Sequence, residues 1–220
     1  MLNLVYKEFV QLRTYLLQIV GFMALAVIIF GKTSPSFAMS YIYVFPVVLS
    51  MTLPQIIFGQ EERGNTFVFL RALPIRPSEI VAAKYLVSVA VTAAFLGIIG
   101  LSSVAGILPA EGVILAVAVV GFVSLILAGL SFFLHFWLGP KSAKVALILV
   151  TFTLGIPIML ASRDPGAFEA KLVARYAWVQ PLAASPLGAC LAVGAGLLVL
   201  AVSYAGSAWI FTKRDLSRLP

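Results

Sequence analysis

The sequence predicts an all-α, polytopic membrane protein with six transmembrane helices, and three observations lead there. Charged residues make up 10% of the 220 and hydrophobic residues 62%, whereas a soluble domain carries about 25% charged residues. Six charge-free windows, 14–31, 33–60, 85–110, 112–140, 145–162 and 176–212, are each 18 residues or longer. About 20 apolar residues cross the hydrocarbon core as a helix. Apolarity within the windows is continuous rather than alternating, which reads as helices and not as barrel strands. The whole chain, 1–220, is one membrane domain.

Residues 1–13 are too polar to span. Leu2, Val5, Tyr6, Phe9 and Leu12 recur at helical spacing, so this stretch reads as an amphipathic helix on the inner membrane surface. The alternative is a plain helical extension of span 1 into water. Span 1 covers about 15–31 and span 2 about 38–58. Span 2 contains Pro46, Pro54 and Gln55, and proline in a helix removes a backbone donor and favours a bend. That reads as a polar, bent helix turned to the protein interior, with Tyr41, Tyr43 and Gln55 as candidate pathway-lining residues. A charged loop, 60–79, follows. Pro77, Ser78 and Glu79 are start signals for span 3, about 80–108. Lys84 is expected to snorkel to the inner interface, and Gly97 and Gly100 to allow close helix contact.

Span 4 covers about 113–138 and closes on Gly139-Pro140. Lys141 to Lys144 form a short inner turn before span 5, about 145–162. Residues 163–186 make the longest outer segment, in which Phe168, Leu172, Tyr176 and Val179 recur at helical spacing beside Trp178. This predicts an interfacial or re-entrant helix. Span 6, about 186–211, carries Gly188, Ala192 and Gly196 four apart, a small-residue packing stripe. Cys190, the one cysteine, reads as a small apolar packing residue.

Six spans place both termini on one side. With that side inward, eleven Lys and Arg lie inside and four outside, so the positive-inside rule puts both termini in the cytoplasm. The formal charge of +7 is then an orientation signal with an attraction to anionic membrane lipids. It is split among four short segments with no basic stripe, which argues against nucleic acid.

Several motifs fail. Gly31-Lys32-Thr33 imitates the end of a nucleotide-binding loop, but position 26 is Ala where that loop needs Gly. One His and one Cys give no metal cluster. Ser131 and His135 imitate an intramembrane serine hydrolase, yet both stand on one helix and no second histidine exists. No Asp or Glu lies at the centre of a span, where ion-driven transporters place ionisable groups. An external energy source is therefore expected, and a pathway here suits an amphipathic or lipid-like cargo.

The charge concentrates instead in residues 60–84, which hold seven of the 23 charged side chains. The run Glu61-Glu62-Arg63-Gly64-Asn65-Thr66, then Leu73-Pro74-Ile75-Arg76 and the start of span 3 with Lys84, resembles the membrane subunit of ABC-2 type (type V) ABC exporters. The opening residues 1–9 are similar to small bacterial permeases that export antimicrobial peptides or peptide toxins such as phenol-soluble modulins. The resemblance implies a transport subunit without catalytic or cofactor-binding residues of its own. ATP and Mg would sit on a partner ABC ATPase. A second permease copy or a paralogue would complete the pathway for an amphipathic peptide or lipid-like substrate, in a bacterial cell membrane. It also implies a coupling helix over 61–73 seated on the ATPase, with Glu61, Glu62, Arg63, Gly64, Thr66, Phe67, Phe69, Leu70 and Arg71 at that interface. The residues allow this, since their charges can form ion pairs and Phe67, Phe69 and Leu70 offer an apolar anchor. Two other readings stay open on the residues: a substrate-binding membrane component of an uptake system, and the serine hydrolase.

Overall fold

The computed structural model describes residues 2–33, 35–63, 75–104, 113–161 and 185–213. They form six helices: α1 (Leu2–Thr33), α2 (Pro35–Arg63), α3 (Pro77–Val104), α4 (Val113–Leu138), α5 (Pro140–Ala161) and α6 (Pro186–Lys213). No strand occurs among the described residues. Tyr43–Glu62, Pro77–Leu101, Val117–Leu138 and Pro186–Lys213 are long and apolar enough to cross a membrane. The other two predicted spans fall on α1 and α5.

Helix starts follow the chain's prolines. α2, α3, α5 and α6 each open on one, where the missing N–H is an orphan donor in any case and the fixed φ suits the first turn. Ser185 caps α6 by accepting the Gly188 N–H at 3.0 Å. At Gly139 one residue serves two helices. Its φ of 85° ends α4 in the left-handed conformation that glycine adopts freely. Its N–H donates to His135 O at 3.1 Å, and its carbonyl accepts the Ala143 N–H at 2.9 Å to begin α5. The expected four-residue turn at 141–144 is therefore the first turn of α5.

Two other boundaries move. α2 continues through Arg63, so residues 60–63 are helix and not loop. Helix α3 begins at Pro77 rather than at 80. The amino terminus also departs from expectation: residues 2–13 run without a break into the rest of α1, as one helix rather than a separate surface element. Its buried face is Leu4, Glu8 and Leu12, while Leu2 and Tyr6, expected on the apolar stripe, are exposed. Spacing by four is the right period, but the face is rotated, because the packed side includes an acid.

α4 occupies the middle of the bundle, against α2, α3, α5 and α6. Its Leu125, Ala128, Phe132 and Phe136 are buried in the main core. The α4–α6 seam is close because glycine permits it. A Cβ at Gly196 would stand 3.1 Å from Leu125 Cδ1, and one at Gly206 would stand 3.1 Å from Phe133 Cε2. Gly97 and Gly100 of α3, expected to do this, face open space. α1 packs on α2 and α3. Phe45 and Phe95 stack between α2 and α3, with ring centroids 6.5 Å apart.

Candidate functional site

At the end of the bundle where α1 begins, α2 ends and α3 begins, four charged side chains converge. Lys84, two turns into α3, places Nζ 3.0 Å from Glu8 Oε1 of α1 and directly against Glu61 Oε1 of α2. Lys7 Nζ lies 3.2 Å from the same Glu8 oxygen and 3.1 Å from the same Glu61 oxygen. Each lysine thus bridges both carboxylates, and the four form a closed square with no net charge. Lys84 and Glu61 are 0% exposed and Glu8 is 3% exposed at the side chain; Lys7, at 27%, is the rim. Burying unpaired ions would cost several kcal/mol each, so charges enter an interior only when matched. Both Oε2 atoms, of Glu8 and Glu61, are buried without a hydrogen-bond partner among the described residues.

An aromatic layer backs the square. Lys84 Nζ lies 5.4 Å from the Phe58 ring centroid, within reach of a cation–π attraction. Phe58 in turn stacks on His135 of α4 at 5.0 Å and meets Phe136 edge-on. His135 Nδ1 donates to the Ser131 carbonyl at 2.7 Å, while the Ser131 hydroxyl donates to Met51 O at 3.2 Å. The serine and histidine side chains are thus each engaged elsewhere and do not form the hydrogen bond a nucleophile and its base require.

Next to Lys84, Tyr85 points the other way, into the α3–α4–α6 seam. Its hydroxyl lies 2.8 Å from both Ser203 Oγ and Ser207 Oγ, and Ser203 Oγ donates to Gly129 O at 2.6 Å. Elsewhere on α2, Thr52, Gln55, Ile56, Gly59 and Gln60, with Tyr15 and Lys144, line a groove of about 360 Å³. Gln60 bridges helices there by donating to Gln11 O at 3.4 Å. Among the described residues, no group of three or more His, Cys, Asp or Glu is placed to hold a metal.

A family model described as ABC-2 family transporter protein matches residues 3–212. The chain belongs to the ABC-2 transporter family. It is a multi-pass membrane protein, the permease of an ABC transporter system in which an ATPase is a partner. No curated protein and no solved structure matches the chain.

With that membership, the expected coupling residues divide into three groups. Glu61 faces inward, in the square, and is 0% exposed. Glu62 is exposed and lies 3.9 Å from Lys141 of α5, and Arg63 is the last residue of α2. Gly64, Thr66, Phe67, Phe69, Leu70 and Arg71 lie outside the described residues, as does the segment 163–184. Of the candidate pathway residues, Gln55 lines the groove. Tyr43 packs instead with Ile99 and Val120, and the Tyr41 side chain lies outside the described residues. Lys84 does not snorkel; it is the most deeply buried lysine in the ABC-2 permease as described. Sequence reading missed the square because Glu8 and Lys84, for example, stand 76 residues apart. One signal was present: Glu8 sits between Leu4 and Leu12 at four-residue spacing, an acid on the packing face.

Proposed function

We propose that this chain is the membrane permease of an ATP-driven exporter of amphipathic peptides or lipid-like compounds, working with a separate nucleotide-binding subunit. In this reading ATP and Mg bind the partner ATPase and the permease itself hydrolyses nothing. Two permeases, identical or paralogous, enclose the pathway in a bacterial plasma membrane rich in anionic lipid, with both termini cytoplasmic. The end of α2, with Glu62 and Arg63, and the segment after it, with Phe67, Phe69, Leu70 and Arg71, receive the push of the ATPase. The supporting observation is the extent of the family match: residues 3–212 take in the first helix, the segment between α2 and α3, and all six described helices.

Detergent extraction of a tagged chain from its native cells tests this directly. Vanadate-sensitive ATPase activity should co-purify with it, and the Glu62→Arg/Phe67→Ala double variant should lose that activity by roughly tenfold or more, as expected when an apolar anchor and a charge pair are both removed. A wild-type chain that brings down no ATPase sinks the reading.

A further inference from the structure

The end of α2 and the start of α3 are tied by an ion pair: Glu61, at the end of α2, and Lys84, near the start of α3, are in direct contact. The same lysine reaches Glu8, and Lys7 closes the square from α1. Three helices are therefore tied at one point by four charged groups, of which Lys84, Glu61 and Glu8 are buried and Lys7 forms the rim. We propose that Lys84, Glu61, Glu8 and Lys7 are positioning residues that lock the ends of α1, α2 and α3 into one rigid body. A displacement of the 64–74 segment then moves all three helices together instead of bending α2 against α3. This rests on the reading above for the source of the displacement, but the lock itself is a property of the chain alone.

Three features of the square favour a lock over simple cohesion. Apolar side chains of similar volume would hold the helices at least as well, because desolvating ions offsets most of their attraction. Ion pairs instead fix register: each Nζ must sit within hydrogen-bond reach of two carboxylate oxygens, and a slide of one helical turn by any of the three helices breaks at least two contacts. Neutrality as a set also means that no member can leave without stranding a charge. Phe58 adds a stop on one side, its ring set against the Lys84 ammonium.

The test uses spin labels on the full chain in lipid nanodiscs, with Cys190→Ser removing the exposed native thiol. Labels replace Tyr6 of α1 and Leu86 of α3, both exposed, and double electron–electron resonance reads the distance between them. Wild type should give one narrow distribution. Lys84→Met/Glu61→Gln leaves the neutral Lys7–Glu8 pair, so burial of an unmatched charge is avoided; its distribution should broaden roughly twofold as the ends slide. A narrow, wild-type distribution in that variant overturns the proposal. Should that variant fail to fold, Lys7→Gln/Glu8→Gln frees α1 alone while keeping Glu61–Lys84, and the same broadening is expected; its absence likewise overturns the lock. In the complex with the co-purified ATPase, the wild-type distance should be the same in nucleotide-free and ATP–vanadate-trapped states. A wild-type distance that changes on trapping also overturns it. Absence of a co-purified ATPase removes the functional reading while the nanodisc measurement still decides the lock.

Discussion

The meeting point of the start of α1, the end of α2 and the start of α3, and the seam between α4 and α6, are joined by opposite means. The first region uses four long charged side chains, three of them fully buried, that meet at their tips. The second uses the smallest residues available. Gly129, Gly196 and Gly206 bring backbones together, and Tyr85, Ser203 and Ser207 add short hydroxyl contacts. Between membrane helices apolar burial supplies little drive, because lipid is as apolar as the interface, so close packing and hydrogen bonds carry association. The seam follows that rule and tolerates gradual loss. The charged end does not: its geometry is all-or-none, because any member removed strands a partner. The difference separates a static joint from one that fixes position.

The largest effect that would sharpen this contrast is at Lys84. Lys84→Met leaves Glu8 and Glu61 facing a single lysine, and should cost about 3–5 kcal/mol, read as a drop in thermal midpoint in detergent. Adding Glu61→Gln should recover much of that loss; if the double variant is as unstable as the single, the charges are not coupled. Next is Gly196→Leu in the seam. A Cβ there already stands 3.1–3.2 Å from Leu125 side-chain atoms, and overpacking of this kind costs about 1–3 kcal/mol. An unchanged midpoint would mean the helices separate at no cost, and the seam is not the static joint described. Ser203→Ala removes the donor to Gly129 O and one of two partners of Tyr85. About 0.6–1.7 kcal/mol is expected, the range for hydrogen bonds between membrane helices, and chemical denaturation would read it. The smallest effect belongs to Lys141→Gln. Its pair with Glu62 spans 3.9 Å with the lysine side chain 75% exposed, so stability should change by less than about 0.5 kcal/mol. A larger change would place that pair in the same class as the buried square.

Helix positions were largely legible because their causes are local. α4 falls at Val113–Leu138 as its uninterrupted apolar run predicts, and α6 opens at Pro186 as expected, whereas Pro35, Pro77 and Pro140 open their helices ahead of the spans expected from 38, 80 and 145. The candidate site was legible only in part. Gln55 was singled out by its polarity inside an apolar helix and does line a groove. Glu61 was singled out by charge, but for the wrong environment: a carboxylate at a helix end next to a loop reads as solvent-facing, and the acid is instead buried against two lysines. Ser131 and His135 were near one another as their spacing requires, yet their hydrogen bonds go to backbone carbonyls.

By itself, the sequence determined the helical class, the rough position of the apolar runs and the family, since each depends on runs or motifs within a few tens of residues. Tertiary structure alone decided which face of α1 is buried, which glycines meet a neighbour, and that Glu8, Glu61 and Lys84 form one neutral cluster. The reason is physical. A lone lysine or glutamate near a helix end is cheapest in water, and burial becomes favourable only when partners from two other helices arrive together. That condition depends on three helices at once, and its one trace in the chain is Glu8 standing between Leu4 and Leu12.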